Sequence, residues 1–137
     1  MEAHFQIFLI LLAVLAGTAL IARRALEYAS SLGLTVHVVP LDPSLANGGC
    51  AHEGAVATRL GLTSIPVAAE AMALRQWISL VEDTGARVHF GRLSSARGVE
   101  LLQSAQRRKL PLTADVAAHQ LFMTDADLDG FNAMAHV

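Results

Sequence analysis

The sequence has little charge and a single cysteine. Charged residues make up 16% of the chain, and its 10 Lys and Arg are outnumbered by 12 Asp and Glu, so the charge balance gives no support to a nucleic-acid partner. The lone Cys50 excludes an intramolecular disulfide and fits a reducing compartment. The length of 137 residues is also too short for a closed (β/α)₈ barrel, which takes about 250 residues.

Apolar residues are abundant, at 53%, which argues against disorder and suggests either buried parallel strands or a membrane segment. Residues Ile7 to Ala22 carry no charge and, with Phe5 and Gln6, reach the lower edge of the roughly 17–25 residues of a membrane-spanning helix. If this stretch spans a membrane, Arg23 and Arg24 after it place the rest of the chain in the cytoplasm. The alternative is a buried strand or an irregular start. We therefore divide the chain into an apolar segment, 1–22, and a β/α domain, 23–137.

The domain alternates between helical spacing and short strand-forming runs. The first helix should bury Ala25, Leu26, Ala29 and Leu32, and the second should bury Ala69, Met72, Ala73, Trp77 and Leu80. In chain order the pattern predicts a helix from Arg23 that ends at Gly33, a strand Thr35–Val39, a long loop, a helix from Pro66 to about Asp83 that ends at Gly85, a strand Ala86–Phe90, a helix from Ala96 to about Arg108 capped by Ser94 or Ser95, a strand Leu110–Val116, and a short turn capped by Thr124 with Asp127.

This alternation predicts an α/β fold with about three parallel strands, a partial TIM-barrel-like repeat that does not close. Chemistry in such folds lies just beyond the carboxyl ends of the strands. The segments to inspect are therefore 40–42, 91–93 and 117–120. Two open sheet edges and one uncovered sheet face also predict self-association.

Several segments resemble, in order, the middle third of bacterial dihydroorotases, zinc enzymes of the amidohydrolase superfamily that act in pyrimidine biosynthesis. The segments are LDPSLANGGCAHEGAVATRLGLTSIP, TGARVHFGRLSSARGVELL and LPLTADVAAHQLFMTDADLDGF. The resemblance implies zinc-binding positions after each strand, but only Asp42 and His119 match them. Arg92 stands where the family has a zinc-binding His, and Gln120 replaces the second His of a pair. An arginine has no lone pair for a metal.

The resemblance is greatest to noncatalytic dihydroorotase-like proteins, which associate with aspartate carbamoyltransferase in the cytoplasm. It implies no catalytic residue here and no cofactor, or zinc on Asp42 and His119 if the family's site is retained. The alternatives are part of an active zinc-dependent dihydroorotase that hydrolyses a cyclic amide, and a membrane-tethered β/α module.

Each candidate residue also has a structural interpretation. Asp42 can cap a turn before Pro43, and His119 can be a polar residue at a strand end. His52 and Glu53 can belong to a pocket or to a surface loop, and His89 is expected to be a core histidine with its hydrogen bonds satisfied. Arg92 can bind an anion or pair with a nearby Asp such as Asp42 or Asp115.

Overall fold

The structure is a computed structural model that describes residues 19–132 and residue 135. It has five α-helices and five strands, followed by two 3₁₀ segments. In chain order these are α1 (Ala19–Ser31), β1 (Thr35–Val38), α2 (Pro43–Ala46), β2 (Ala51–His52), α3 (Ala55–Leu60), β3 (Ser64–Ile65), α4 (Val67–Thr84), β4 (Arg87–Phe90), α5 (Ala96–Arg107), β5 (Leu112–Ala114), and the 3₁₀ segments Ala118–Leu121 and Asp125–Phe131.

Three parallel strands form the main sheet, in the order β1-β4-β5, and a separate parallel pair joins β2 to β3. The register places Val36 beside Val88 and Val88 beside Leu112. The predicted α/β architecture, with about three parallel strands and no closed barrel, is therefore confirmed. The long loop predicted between the first two helices is more ordered than expected, because it contains α2, β2, α3 and β3.

The core lies between one face of the main sheet and the three longer helices. Because successive side chains of a strand point to opposite faces, one face carries the buried valines together with Phe90 and Leu112. Helices α1, α4 and α5 cover that face with Leu26, Leu74, Ile78, Val81, Leu102 and Ala105. The opposite face carries the polar side chains of alternate residues: Thr35, His37, Arg87, His89 and Thr113.

Helix ends agree with the local signals in the sequence. Gly33, two residues beyond the end of α1, and Gly85, immediately after α4, both adopt positive φ, +65° and +67°. Ser95 caps α5, where its hydroxyl accepts a hydrogen bond from the Gly98 N–H at 3.0 Å. At the final 3₁₀ segment, the Thr124 N–H donates to the Asp127 carboxylate at 2.6 Å, as the predicted capping pair requires.

Two predicted burial positions are wrong. Leu32 lies beyond the end of α1 and is 50% exposed, because the chain has already turned towards Gly33. Met72 is 53% exposed, because α4 turns Leu74, Ile78 and Val81 towards the sheet instead. Trp77 and Leu80 pack at the margin of the core, and Ala69 and Ala73 are buried as predicted.

Most of the apolar stretch Ile7 to Ala22 lies outside the described residues, and only its last four residues form the start of α1. Within the described part of the chain, no helix has the length and apolar character needed to cross a membrane.

Candidate functional site

A cleft of about 730 Å³ lies at the carboxyl ends of the main strands. Because β1, β4 and β5 run parallel, the segments that follow them meet at one edge of the sheet. All three segments singled out from the sequence contribute to the cleft. Its lining includes Pro40 and Leu41 after β1, Arg92 after β4, and Ala117, His119 and Gln120 after β5.

Asp42 does not line this cleft but caps α2. Its Oδ1 accepts hydrogen bonds from the Ser44 N–H at 2.9 Å, from the Leu45 N–H at 3.1 Å and from the Ser44 hydroxyl. The Ser44 side chain, followed by the Leu45 N–H, lowers the pKa of Asp42 below its usual value. The geometry is that of the turn-capping alternative, with Pro43 in the first position of the helix.

His119 lies in the 3₁₀ turn Ala118–Leu121, half-buried against the cleft. The next residue fixes this turn, because Gln120 Oε1 accepts a hydrogen bond from the Ala117 N–H at 2.8 Å. The Gln120 carbonyl oxygen is therefore engaged within its own turn, while its amide nitrogen keeps two N–H donors.

Arg92 adopts a left-handed backbone conformation, with φ +57°, two residues beyond the end of β4. Its N–H donates to Asp115 Oδ1 at 2.7 Å, so the contact with Asp115 is made by the backbone and not by the guanidinium. The side chain is exposed, lines the cleft, and has no carboxylate at ion-pair distance among the described residues.

His89 links the middle of β4 to β5. Its Nε2 lies 2.9 Å from Asp115 Oδ2, and its Nδ1 lies 2.8 Å from the Thr113 hydroxyl oxygen. An ionised carboxylate only accepts, so Nε2 carries a hydrogen; in the neutral imidazole Nδ1 then accepts from the Thr113 hydroxyl. The expected satisfied histidine is found, but it lies on the polar sheet face and not in the core, beside the ring of His37 at a centroid distance of 4.9 Å.

Asp115 is the point where these contacts converge. Its pKa lies below the usual value, mainly because of the hydrogen bond from His89 and then because of the Arg92 N–H. The carboxylate therefore ties the segment after β4 to the end of β5 and fixes the direction in which the chain leaves both strands.

Glu70 is a residue of this region that the sequence analysis missed. It is only 6% exposed, and its carboxylate accepts four hydrogen bonds, from the N–H and the hydroxyl of both Ser94 and Ser95. Gly98 permits the approach, since a Cβ there would lie 2.1 Å from Glu70 Oε1. The signal available in the sequence was a glutamate near the start of α4 together with paired serines and a glycine at the start of α5.

His52 ends β2, is exposed and lines the cleft. Glu53 belongs to the neighbouring loop, where its N–H donates to the Ile65 carbonyl at 3.0 Å. Cys50 also lines the cleft and lies exposed, with its Sγ 3.6 Å from the Thr63 carbonyl oxygen.

The residues present here do not fit a zinc site. Among the described residues, no three side chains of the metal-binding types His, Cys, Asp and Glu lie together. Of the family-matched positions, Asp42 is engaged in capping, Arg92 offers no lone pair, and His119 is left as a single donor.

Comparison with known proteins shows strong similarity in sequence. The chain is 53% identical over 117 residues to a dihydroorotase-like protein of Pseudomonas aeruginosa, which covers 85% of this chain and 28% of the relative. It is 50% identical over 114 residues to a dihydroorotase-like protein of Pseudomonas putida, covering 83% and 27% of the two chains. A dihydroorotase of Anaeromyxobacter sp. strain K is 47% identical over 106 residues, covering 77% and 24%. No protein-family model matches the chain.

Solved structures show the same fold at lower identity. A D-hydantoinase structure matches 82% of this chain and 25% of its own length, with a TM-score of 0.67 and 19% identity. An L-hydantoinase from Arthrobacter aurescens matches 81% and 25%, also with a TM-score of 0.67 and with 20% identity. The chain thus spans about a quarter of the length of the relatives and structures that it matches.

Proposed function

Since the chain belongs to the dihydroorotase family, we propose that it is a noncatalytic, dihydroorotase-like component of pyrimidine biosynthesis. Its role in this proposal is structural, beside aspartate carbamoyltransferase in the cytoplasm. The observation that carries the proposal is Arg92, which puts a permanently protonated guanidinium in the cleft where the family resemblance implies a zinc-binding His. The identities of about 50% with proteins named dihydroorotase-like support the same branch of the family.

The partner is tested by co-expression of the chain, carrying an affinity tag, with the aspartate carbamoyltransferase of the same organism. We expect the transferase to co-purify and to elute with the chain as one complex in size-exclusion chromatography. An untagged chain serves as the control for adsorption to the resin. Separate elution of the two proteins at micromolar concentrations would contradict the proposed partnership.

The competing proposal is that the chain is part of an active zinc-dependent dihydroorotase. Its 47% identity with a protein named dihydroorotase favours this alternative. The two functions differ in metal content, because a catalytic zinc site takes about three protein ligands. We expect the purified chain to hold substoichiometric zinc after dialysis and to hydrolyse no dihydroorotate. The Arg92→His variant, which supplies an imidazole at the family's position, should behave in the same way. One zinc per wild-type chain, with turnover, would establish the competing function.

A further inference from the structure

We propose that the cleft at the strand ends binds a small oxyanion, with the Arg92 guanidinium as its anchoring group. A structural role beside another protein requires no ligand, so this inference goes beyond the proposed function. The starting observation is that the residues of the cleft do not fit a metal ion. The cleft presents a fixed positive charge at the position where a cation would need electron-pair donors. Such a position attracts the opposite sign of charge.

Arg92 is held in place by its backbone, which leaves its side chain free to bind. The Asp115 carboxylate accepts the Arg92 N–H and is itself held by His89, so the left-handed conformation at Arg92 is fixed from two strands. A left-handed non-glycine residue costs about 1–2 kcal/mol, and such strain collects at functional sites. The guanidinium carries five N–H donors in a fork that matches two oxygens of one anion.

The other polar groups of the cleft favour an anion as well. The side-chain oxygen of Gln120 accepts the Ala117 N–H, which leaves its amide nitrogen as the group that can donate, and His52 and His119 also line the wall. Glu70 lines the cleft, but both oxygens of its carboxylate are engaged by the four hydrogen bonds from Ser94 and Ser95. The volume of about 730 Å³ falls within the roughly 300–1,000 Å³ of small-molecule sites.

Asp125 is the remaining carboxylate of the described lining. It repels an anion, so it limits the affinity and provides a test of the opposite sign. Asp125→Asn should tighten binding at low salt, whereas Arg92→Met should weaken it. A cleft that binds without charge recognition would show neither change.

The experiment is calorimetric titration of the full chain with inorganic phosphate and, separately, with malonate, at constant ionic strength in chloride. The two probes distinguish a phosphate from a carboxylate ligand. We expect saturable binding of at least one, weakened roughly tenfold or more in Arg92→Met, since hydrogen bonds to charged groups contribute about 1.5–3 kcal/mol. Arg107→Met, which removes an exposed arginine at the far end of α5, is the matched control and should bind as the wild type does.

The Arg92→Gly variant controls for loss of the fold as the cause of lost binding, because glycine adopts the left-handed conformation without strain. It should unfold at the wild-type temperature or above and still fail to bind. The proposal is overturned if the wild-type chain shows no saturable binding of either probe, or if Arg92→Met and Arg92→Gly bind as tightly as Arg107→Met.

Discussion

The absence of a side chain at Gly98 lets the buried Glu70 carboxylate reach Ser94 and Ser95. This contact joins α4 to the start of α5, and it places the segment after β4 at the cleft. A buried carboxylate is costly unless its oxygens are hydrogen-bonded, and here both oxygens are engaged. The glycine is therefore required by packing, whatever the function of the chain.

Replacing this glycine tests the contact directly. In Gly98→Ala the new Cβ would lie 2.1 Å from Glu70 Oε1 and 3.1 Å from Leu74 Cδ1, so the carboxylate must move. We expect the free energy of unfolding, measured in urea, to fall by about 1–3 kcal/mol. Gly91→Ala is the matched control, because its Cβ would meet nothing closer than 3.9 Å. Equal stability of the two variants would refute the packing argument.

The Asp115 carboxylate makes the stability of the folded chain depend on pH. Its pKa is lower in the folded chain than the usual value of about 3.9 expected in the unfolded chain. Its contribution to stability is therefore complete above that value and is lost as the pH falls through the lowered pKa.

We expect Asp115→Asn to be less stable than the wild type near neutral pH, because an amide cannot accept from both Arg92 and His89 as the carboxylate does. The difference in the free energy of unfolding between the two proteins should narrow as the pH falls below about 4. Urea unfolding at a series of pH values measures this difference. A difference that stays constant down to the acid limit would show that the ionised carboxylate contributes nothing.

Among the elements, α4 makes the largest contribution to the core. It spans 18 residues, and it packs against both α1 and α5 as well as against the sheet. Ion pairs also join α4 to its neighbours, Asp83 with Arg23 and Glu82 with Arg108, but pairs at such exposed positions contribute little. The apolar face must therefore supply most of the stabilisation that this helix provides.

Truncating one buried and one exposed side chain of α4 tests which face of this helix packs in the core. Leu74 is fully buried, so Leu74→Ala should lower the free energy of unfolding by about 2–5 kcal/mol. Met72→Ala, at an exposed position of the same helix, should change it by less than about 0.5 kcal/mol. Thermal or urea unfolding compares them, and the opposite order would mean that the face assigned to the core is wrong.

At the scale of the whole molecule, the described residues cover the main sheet on one face only. The other face carries His37, His89 and Thr113, and β1 and β5 form the two edges of the sheet. The relatives and solved structures that match this chain are about three times as long, so they contain further chain beyond these three strands.

We expect the purified chain to self-associate, because unpaired strand edges favour contacts between copies. Sedimentation velocity over a range of concentrations should show a weight-average mass that rises above that of a monomer. A single monomeric species throughout the range would contradict this expectation.

The sequence by itself determined the order of the three longer helices and of the three strands of the main sheet, because those signals are local. Helical and alternating spacing set the elements, Gly33 and Gly85 end two helices in the left-handed conformation, and Ser95 starts a third. It also identified three of the segments that line the cleft, since the carboxyl ends of parallel strands meet at one edge.

Only the tertiary structure decided how those elements meet. Whether α4 buries Met72 or Leu74 depends on its rotation against the sheet, which spacing alone does not determine. Glu70 finds its partners 24 and 25 residues along the chain, and His89 meets Asp115 26 residues away. Contacts of that range depend on the packing of whole elements, so no local pattern of residues specifies them.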